Sequence, residues 1–324
     1  MKYNFDEIND RSNTDALKLT ELQPRWGRTD LLPLWIADME FKTPPFIVET
    51  LKKRLECPIF GYTAKPDAWY QAIIDWQKRR HKWGISKEMI SFVPGVVPGL
   101  AMAVQAFTEK GDKVLIQQPV YQPFSLVVEL NGRKLVNSSL QLREGQYYID
   151  FEQLEKDIQG CKLFLFCHPH NPGGRVWTKE ELVKIAQLCH KYNVVLVADE
   201  IHADLTLPSY EHIPFANACP EAKEVCVMFG SPSKTFNVAG LPIANIAGFA
   251  TSYVVIENSV LRKKFRDYVE ANMLCDGNVF AFQTVISAYT EGEEWLSQLL
   301  AYLQENINFV VEYINKNIPK LRCI

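Results

Sequence analysis

The sequence carries no charge excess, no C-x-x-C pair, no repeat or low-complexity tract, and no apolar run long enough to span a membrane. Each absence excludes a class of protein. Its 35 basic and 38 acidic residues leave a net charge of −3, without the basic field that binding to nucleic acid requires. The two densest basic stretches, Lys78-Arg79-Arg80-His81-Lys82 and Arg262-Lys263-Lys264, fall in helical patterns and read as solvated helix faces. The eight cysteines show no zinc-type spacing with histidine, so no metal is expected. The start, Met1-Lys2-Tyr3-Asn4-Phe5-Asp6, has no apolar signal core. Cys161, Cys167 and Cys226 sit in apolar runs, where reduced cysteine behaves as a small hydrophobe. The cytoplasm is the expected compartment.

What is present is a chain of 324 residues, 47% of them hydrophobic and 12% aromatic. That length buries a sizeable core without disulfides or metal. The first forty-odd residues are irregular, punctuated by Pro24, Pro33, Pro44 and Pro45. Helical patterns follow over Pro45 to Glu56 and Asp67 to Lys82. A further helix, Leu100 to Phe107, is opened by the turn Gly95-Val96-Val97-Pro98-Gly99. The chain then alternates. Strands are expected at Lys113 to Gln117, Lys134 to Leu140, Lys162 to Cys167, Val194 to Ala198, Val225 to Phe229 and Ile243 to Phe249. Helices are expected at Phe124 to Leu130, Phe151 to Ile158 and Thr178 to Tyr192, with more helix in the last third. Alternating helices and continuously apolar strands imply an α/β fold with a mostly parallel central sheet covered on both faces.

Ligands of such sheets bind beyond the carboxyl ends of the strands, so the polar residues there are the candidates. Lys234, just past a buried strand, could lose its proton readily and attack a carbonyl to form a Schiff base. Its neighbours Ser231 and Ser233 offer hydroxyls to a phosphate. Asp199 closes the run Val194-Val195-Leu196-Val197-Ala198, where a carboxylate must be paired or face a ligand. It reads as the partner of a pyridine nitrogen, or as an N-cap for the segment that follows. Asn171, in an Asn-Pro-Gly turn, could hold a phenolic oxygen or simply form the turn. Tyr121 could stack on a flat ring or belong to the core. Val96 and Val97, at the glycine-rich turn, could present N–H groups and a positive helix end to a phosphate. His168 and His170 read as local hydrogen-bonding groups.

Together, Tyr121, Asn171-Pro172-Gly173, Asp199 and Ser231-Pro232-Ser233-Lys234 resemble the fold-type-I pyridoxal-phosphate enzymes of the aminotransferase class I and II superfamily. Within it, the chain is similar to the cystathionine β-lyase, or carbon–sulfur lyase, subgroup. The segments that carry this likeness are Leu34-Trp35-Ile36-Ala37-Asp38-Met39-Glu40-Phe41, Phe60-Gly61-Tyr62-Thr63, His170-Asn171-Pro172-Gly173-Gly174-Arg175-Val176-Trp177, Asp199-Glu200-Ile201-His202 and Ser233-Lys234-Thr235-Phe236-Asn237.

The resemblance implies a PLP-dependent transferase-like fold and pyridoxal 5'-phosphate as cofactor. Lys234 would hold the cofactor and then act as acid and base. Asp199 would pair with the ring nitrogen, Asn171 and His202 would hold the ring oxygen, and Tyr121, which counts with Lys234 as a catalytic residue, would stack on the ring. Val96, Val97, Ser231 and Ser233 would form most of the phosphate cup. Tyr62 would reach the phosphate of a neighbouring subunit in a homodimer, and Ala37 would lie near the carboxylate of a small amino-acid substrate. α,β-Elimination from cystathionine or cysteine-type amino acids would release a thiol, pyruvate and ammonia. The alternatives are an aminotransferase, working with a 2-oxo acid, and a regulatory protein that keeps the fold.

The likeness also implies three regions. These are an N-terminal arm with part of a small domain (1–44), a large cofactor domain (45–285) and the start of a C-terminal small domain (286–324). Val238 to Ala250 holds no arginine, unlike many aminotransferases of this fold, which fits the lyase subgroup. The family normally continues past the equivalent of Leu321-Arg322-Cys323-Ile324 and supplies an arginine for the substrate carboxylate there. The expectation is therefore a truncated end, the alternative being a substrate carboxylate that is bound differently.

Overall fold

The structure is a computed structural model and describes residues 3–239 and 251–323. Seven strands form one sheet: β1 (Ile90–Val93), β2 (Lys113–Ile116), β3 (Lys134–Asn137), β6 (Cys161–Cys167), β7 (Val195–Asp199), β8 (Cys226–Gly230) and β9 (Ser252–Val255). A separate hairpin pairs β4 (Gln141–Arg143) with β5 (Gln146–Tyr148). The sheet order is β1-β9-β8-β7-β6-β2-β3. The run from β3 to β8 is parallel, and β9 pairs antiparallel with both β8 and β1.

The pleat explains why the central strands read as continuous apolar runs. Successive side chains point to opposite faces, and both faces are covered. Along β6, Phe164 and Phe166 join one core cluster while Leu163, Leu165 and Cys167 join the other. Likewise Leu196 and Ala198 of β7 face one side and Val197 faces the other. Each fully buried side chain of this size contributes about 1.5–3 kcal/mol to folding. Cys161, Cys167 and Cys226 are buried free thiols, as their apolar surroundings led us to expect.

On one face the helix Val96–Phe107 lies with Pro123–Glu129 and Ser259–Ala271; Phe107 and Phe265 stack at 6.2 Å. On the other, Val279–Glu291 packs against Pro45–Leu55 and Asp67–His81, where Trp76 and Tyr289 stack at 4.7 Å. The helix Lys179–Tyr192 starts with a capping box in which Thr178 and Glu181 satisfy each other's backbone N–H groups. Only the first turns of the last helix, Glu293–Asn317, reach the core, through Trp295, Leu296, Leu299 and Leu300. Phe5 of the N-terminal arm packs on Trp295 at 5.6 Å and on Phe41 at 5.2 Å.

The expected elements from Lys113 to Phe229 form within a few residues of their expected bounds. The strand expected over Ile243 to Phe249 lies outside the described residues. Edge strand β1, antiparallel β9 and the β4–β5 hairpin escaped sequence reading: β1 and β9 fall outside the strand–helix alternation of the parallel run, and the three-residue strands of the hairpin are too short for periodicity to register. The basic run at 78–82 is only partly a solvated face. Lys78 and Arg79 are exposed, whereas His81 turns inward and is buried against Asp204.

Candidate active site

Strands β6, β7 and β8 lie side by side with Cys167 opposite Asp199 and Asp199 opposite Phe229. Their carboxyl ends therefore finish level, and the segments that follow them bring Asn171, Asp199, His202, Ser231, Ser233 and Lys234 to one edge of the sheet. This is the crevice in which open α/β sheets bind ligands.

Burial dominates the electrostatics. Asp199 is buried, and its carboxyl is raised to about 7, chiefly by loss of water; the Ile201 N–H and the Lys234 charge pull it down, and the charge of Glu200 pushes it up. Its Oδ1 accepts the Ile201 N–H at 3.1 Å. That bond is a turn contact two residues on; the N-cap considered from the sequence does not form, since the short helix Ala203–Leu205 has no side-chain cap, and Oδ2 is left for a ligand. Lys234 is lowered from the ordinary lysine value by burial, against the pull of Asp38 and Asp199. His202 falls to about 4, through burial and the Lys234 charge. Tyr121 is raised by burial and by Asp199. The Asp199 charge thus bears on both Lys234 and Tyr121, and the Lys234 charge on both Asp199 and His202.

Tyr121 and Asn171 are joined through the backbone: the Tyr121 N–H donates to the Asn171 carbonyl at 3.1 Å. The Asn171 N–H points in turn at Cys167 Sγ, 3.3 Å away at the end of β6. Ser231 is buried; its Oγ donates to Ser233 Oγ at 2.9 Å and accepts the Ser233 N–H at 3.1 Å. The helix Val96–Phe107 begins after Gly95 with no side-chain cap, so the first N–H groups, on Val96 and Val97, have no helical partner. Gly99 lets this helix approach β8. A Cβ there would stand 2.5 Å from Phe229 Cε1, so any side chain would push the helix end away from Ser231.

Ala37 reaches the site through its backbone, its carbonyl accepting a hydrogen bond from Lys234 Nζ at 2.9 Å. Tyr62 does not join the other candidates; it stands fully exposed on the loop before Asp67–His81. His168 Nε2 donates to the Ile213 carbonyl at 2.9 Å, and His170 Nδ1 accepts the Gly173 N–H at 3.2 Å. The His170 bond is the local one anticipated, whereas His168 bonds a carbonyl 45 residues along the chain instead of a local partner. Among the described residues, no group of three or more His, Cys, Asp or Glu side chains could hold a metal.

Sequence reading missed the layer beneath. Thr251 Oγ1 lies 3.2 Å from Ser231 Oγ. Buried Asp204 accepts from Trp76 Nε1 at 3.0 Å and from Thr235 Oγ1 at 2.9 Å, and pairs with His81 Nε2 at 2.9 Å. Burial alone would raise its pKa, yet the bond from His81, the charges of His81 and Arg80 and the Thr235 hydroxyl together hold it below the ordinary value. Glu200 Oε2 pairs with His212 Nε2 at 2.8 Å and its Oε1 accepts the Phe215 N–H at 2.8 Å. Their partners lie up to 128 residues apart, so no local pattern signals them. A polar residue next to each site residue, Glu200 beside Asp199 and Thr235 beside Lys234, was the only available hint.

A sheet with this order, and a lysine and a carboxyl at neighbouring strand ends, defines a protein class, and the comparisons name it. Residues 29–324 match the family model for aminotransferase class I and II. The chain belongs to that family. Cystathionine beta-lyase PatB of Bacillus subtilis is 41% identical over 323 residues, covering 99% of this chain and 81% of the relative. Among solved structures, cystalysin from Treponema denticola, which contains a pyridoxal 5'-phosphate cofactor, superposes with a TM-score of 0.92 at 35% identity, covering 99% of this chain and 80% of that one. The pyridoxal-phosphate-bound C-S lyase from Staphylococcus hominis gives 0.89 at 34% identity, covering 98% and 78%.

Proposed function

We propose that this chain is a pyridoxal-phosphate-dependent carbon–sulfur β-lyase acting on cystathionine or related cysteine-type amino acids. One observation carries the reading: a lysine lowered by burial and a carboxyl raised by burial stand at adjoining strand ends. The donor set suits the cofactor. Asp199 has no ion-pair partner among the described residues and is free to take a pyridine N–H. Lys234 suits the carbonyl carbon. Ser231, Ser233 and the N–H groups of Val96 and Val97 suit the phosphate. Asn171 and His202 would hold the ring oxygen, and Tyr121 would cover a ring face.

Bound pyridoxal phosphate supplies an electron sink for the pair left behind when a Cα–H bond breaks. The chain's own residues do the rest. Lys234 Nζ, whose hold on a proton burial weakens, takes the Cα proton. Asp199 stabilises a protonated ring nitrogen through its negative charge. The low basicity of His202 keeps it uncharged at neutral pH, so it adds no second cation beside Lys234. Departure of the Cβ thiolate and addition of one water then account for thiol, pyruvate and ammonia.

The same reading includes a homodimer and the three chain regions described from the sequence. Ile59, Phe60 and Tyr62 are exposed on one loop and Met273 and Leu274 on a neighbouring segment, which the Phe60–Phe280 contact at 5.7 Å joins to the first. This apolar surface suits a second copy, whose site Tyr62 would enter. Free cysteines support a reducing, cytoplasmic setting, and among the described residues no helix is long and apolar enough to cross a membrane.

The test is product analysis with purified, cofactor-saturated protein and cystathionine. Pyruvate and free thiol in equal amounts are expected. Glutamate formed from 2-oxoglutarate, with no net pyruvate or ammonia, would replace the lyase with an aminotransferase.

A further inference from the structure

Asn237 lies three residues beyond Lys234, on the same turn. Its φ of 53° is the left-handed region, which asparagine tolerates better than most residues. The side chain is spent entirely on a segment almost 200 residues earlier. Oδ1 accepts the Met39 N–H at 3.1 Å, while Nδ2 donates to the carbonyls of Met39 at 3.1 Å and Phe41 at 2.9 Å. The amide thus engages Met39 as a neighbouring strand would. Thr43 Oγ1 adds a bond to the Asn237 carbonyl at 3.3 Å.

The clamped segment leads directly into the site, since the carbonyl of Ala37, two residues before Met39, meets Lys234 Nζ. Its outer side is tied to the N-terminal arm. Arg11 pairs with Asp38 at 2.9 Å, and the buried Lys18 ammonium bonds the Asp38 carbonyl at 2.6 Å and the Glu40 carboxylate. Those two ties hold the segment to the arm. Asn237 ties it to the turn that bears the lysine.

We infer that Asn237 is a positioning residue that sets the register of Ala37–Phe41 over Lys234, and thereby the wall against which an amino-acid substrate is seated. The inference rests on the proposed function only where it concerns substrate. Its structural half, the clamp, stands on hydrogen bonds alone.

Asn237→Gly removes the amide and keeps the left-handed backbone; Asn237→Asp keeps the Oδ1 acceptor and loses both donors. With holoprotein, the amide of Met39 is expected to exchange its hydrogen at least about tenfold faster in Asn237→Gly. KM for cystathionine is expected to rise about tenfold or more with kcat within about threefold, since the lost interaction orients substrate rather than moves protons. Asn237→Asp falls between wild type and Asn237→Gly in both readouts, and serves if the glycine variant does not fold. Unchanged exchange at Met39 would overturn the clamp. Faster exchange with unchanged KM, or a fall in kcat alone, would overturn the positioning role. Should wild type release no pyruvate, the lyase reading fails by itself, and exchange at Met39 still decides the clamp.

Discussion

Replacing Asp199 with asparagine separates its electrostatic part from its shape. In the protein without cofactor its carboxyl titrates near 7, against 3.8 for the free group. The folded state therefore keeps a proton on Asp199 that the unfolded chain has already lost between these values. Because the folded state binds more protons there, stability falls as pH rises. At about 1.4 kcal/mol per pH unit, three units amount to about 4 kcal/mol lost between pH 4 and pH 7. Asparagine has the size of the neutral acid, can still accept the Ile201 N–H, and does not titrate. Apo Asp199→Asn should match apo wild type near pH 4, lead it by about 1.4 kcal/mol at pH 5 and exceed it at pH 8 by on the order of 5 °C in Tm. Pyridoxal phosphate should reverse the order, because a protonated ring nitrogen beside Asp199 favours the charged carboxylate. The assay is thermal unfolding of both proteins across pH 5–8, with and without cofactor. A variant no more stable than wild type at pH 8, or a gap that does not shrink towards pH 5, would refute the reasoning.

Two further predictions concern the lysine and the layer beneath it. Lys234→Ala should abolish the near-visible absorbance band of the holoprotein and all pyruvate release, as spectra of the purified variant will show; a band that survives assigns the cofactor link elsewhere. Asp204→Ala leaves the side chains of Trp76, His81 and Thr235 without their shared acceptor, and should cost about 3–5 kcal/mol by denaturant unfolding. A loss below about 1 kcal/mol would mean that the buried pair contributes little.

Much of this protein was legible in the sequence. The parallel strands from Lys113 to Phe229 and the helices Pro123–Glu129, Phe151–Asp157 and Lys179–Tyr192 followed from apolar runs that alternate with amphipathic segments, because a strand buried on both faces must be apolar throughout; the β4–β5 hairpin and the short helix Pro220–Val225 did not. Asp199 and Lys234 stood out as charges immediately after such runs, where an open α/β sheet has only its ligand crevice to offer them. What the sequence could not carry was proximity. That Cys167, Asp199 and Phe229 finish level depends on strand register, and that Ser231 meets Thr251 depends on β9 returning antiparallel beside β8. His81 read as part of a basic helix face, yet a hydrogen bond across 123 residues makes it a partner of Asp204. Asn237 read as one letter of a motif, and only the fold lays Met39 against its amide. Hydrophobic periodicity is a local property of the chain. Hydrogen bonds between distant polar side chains are decided only when packing brings them within about 3 Å and removes the water that would otherwise satisfy them.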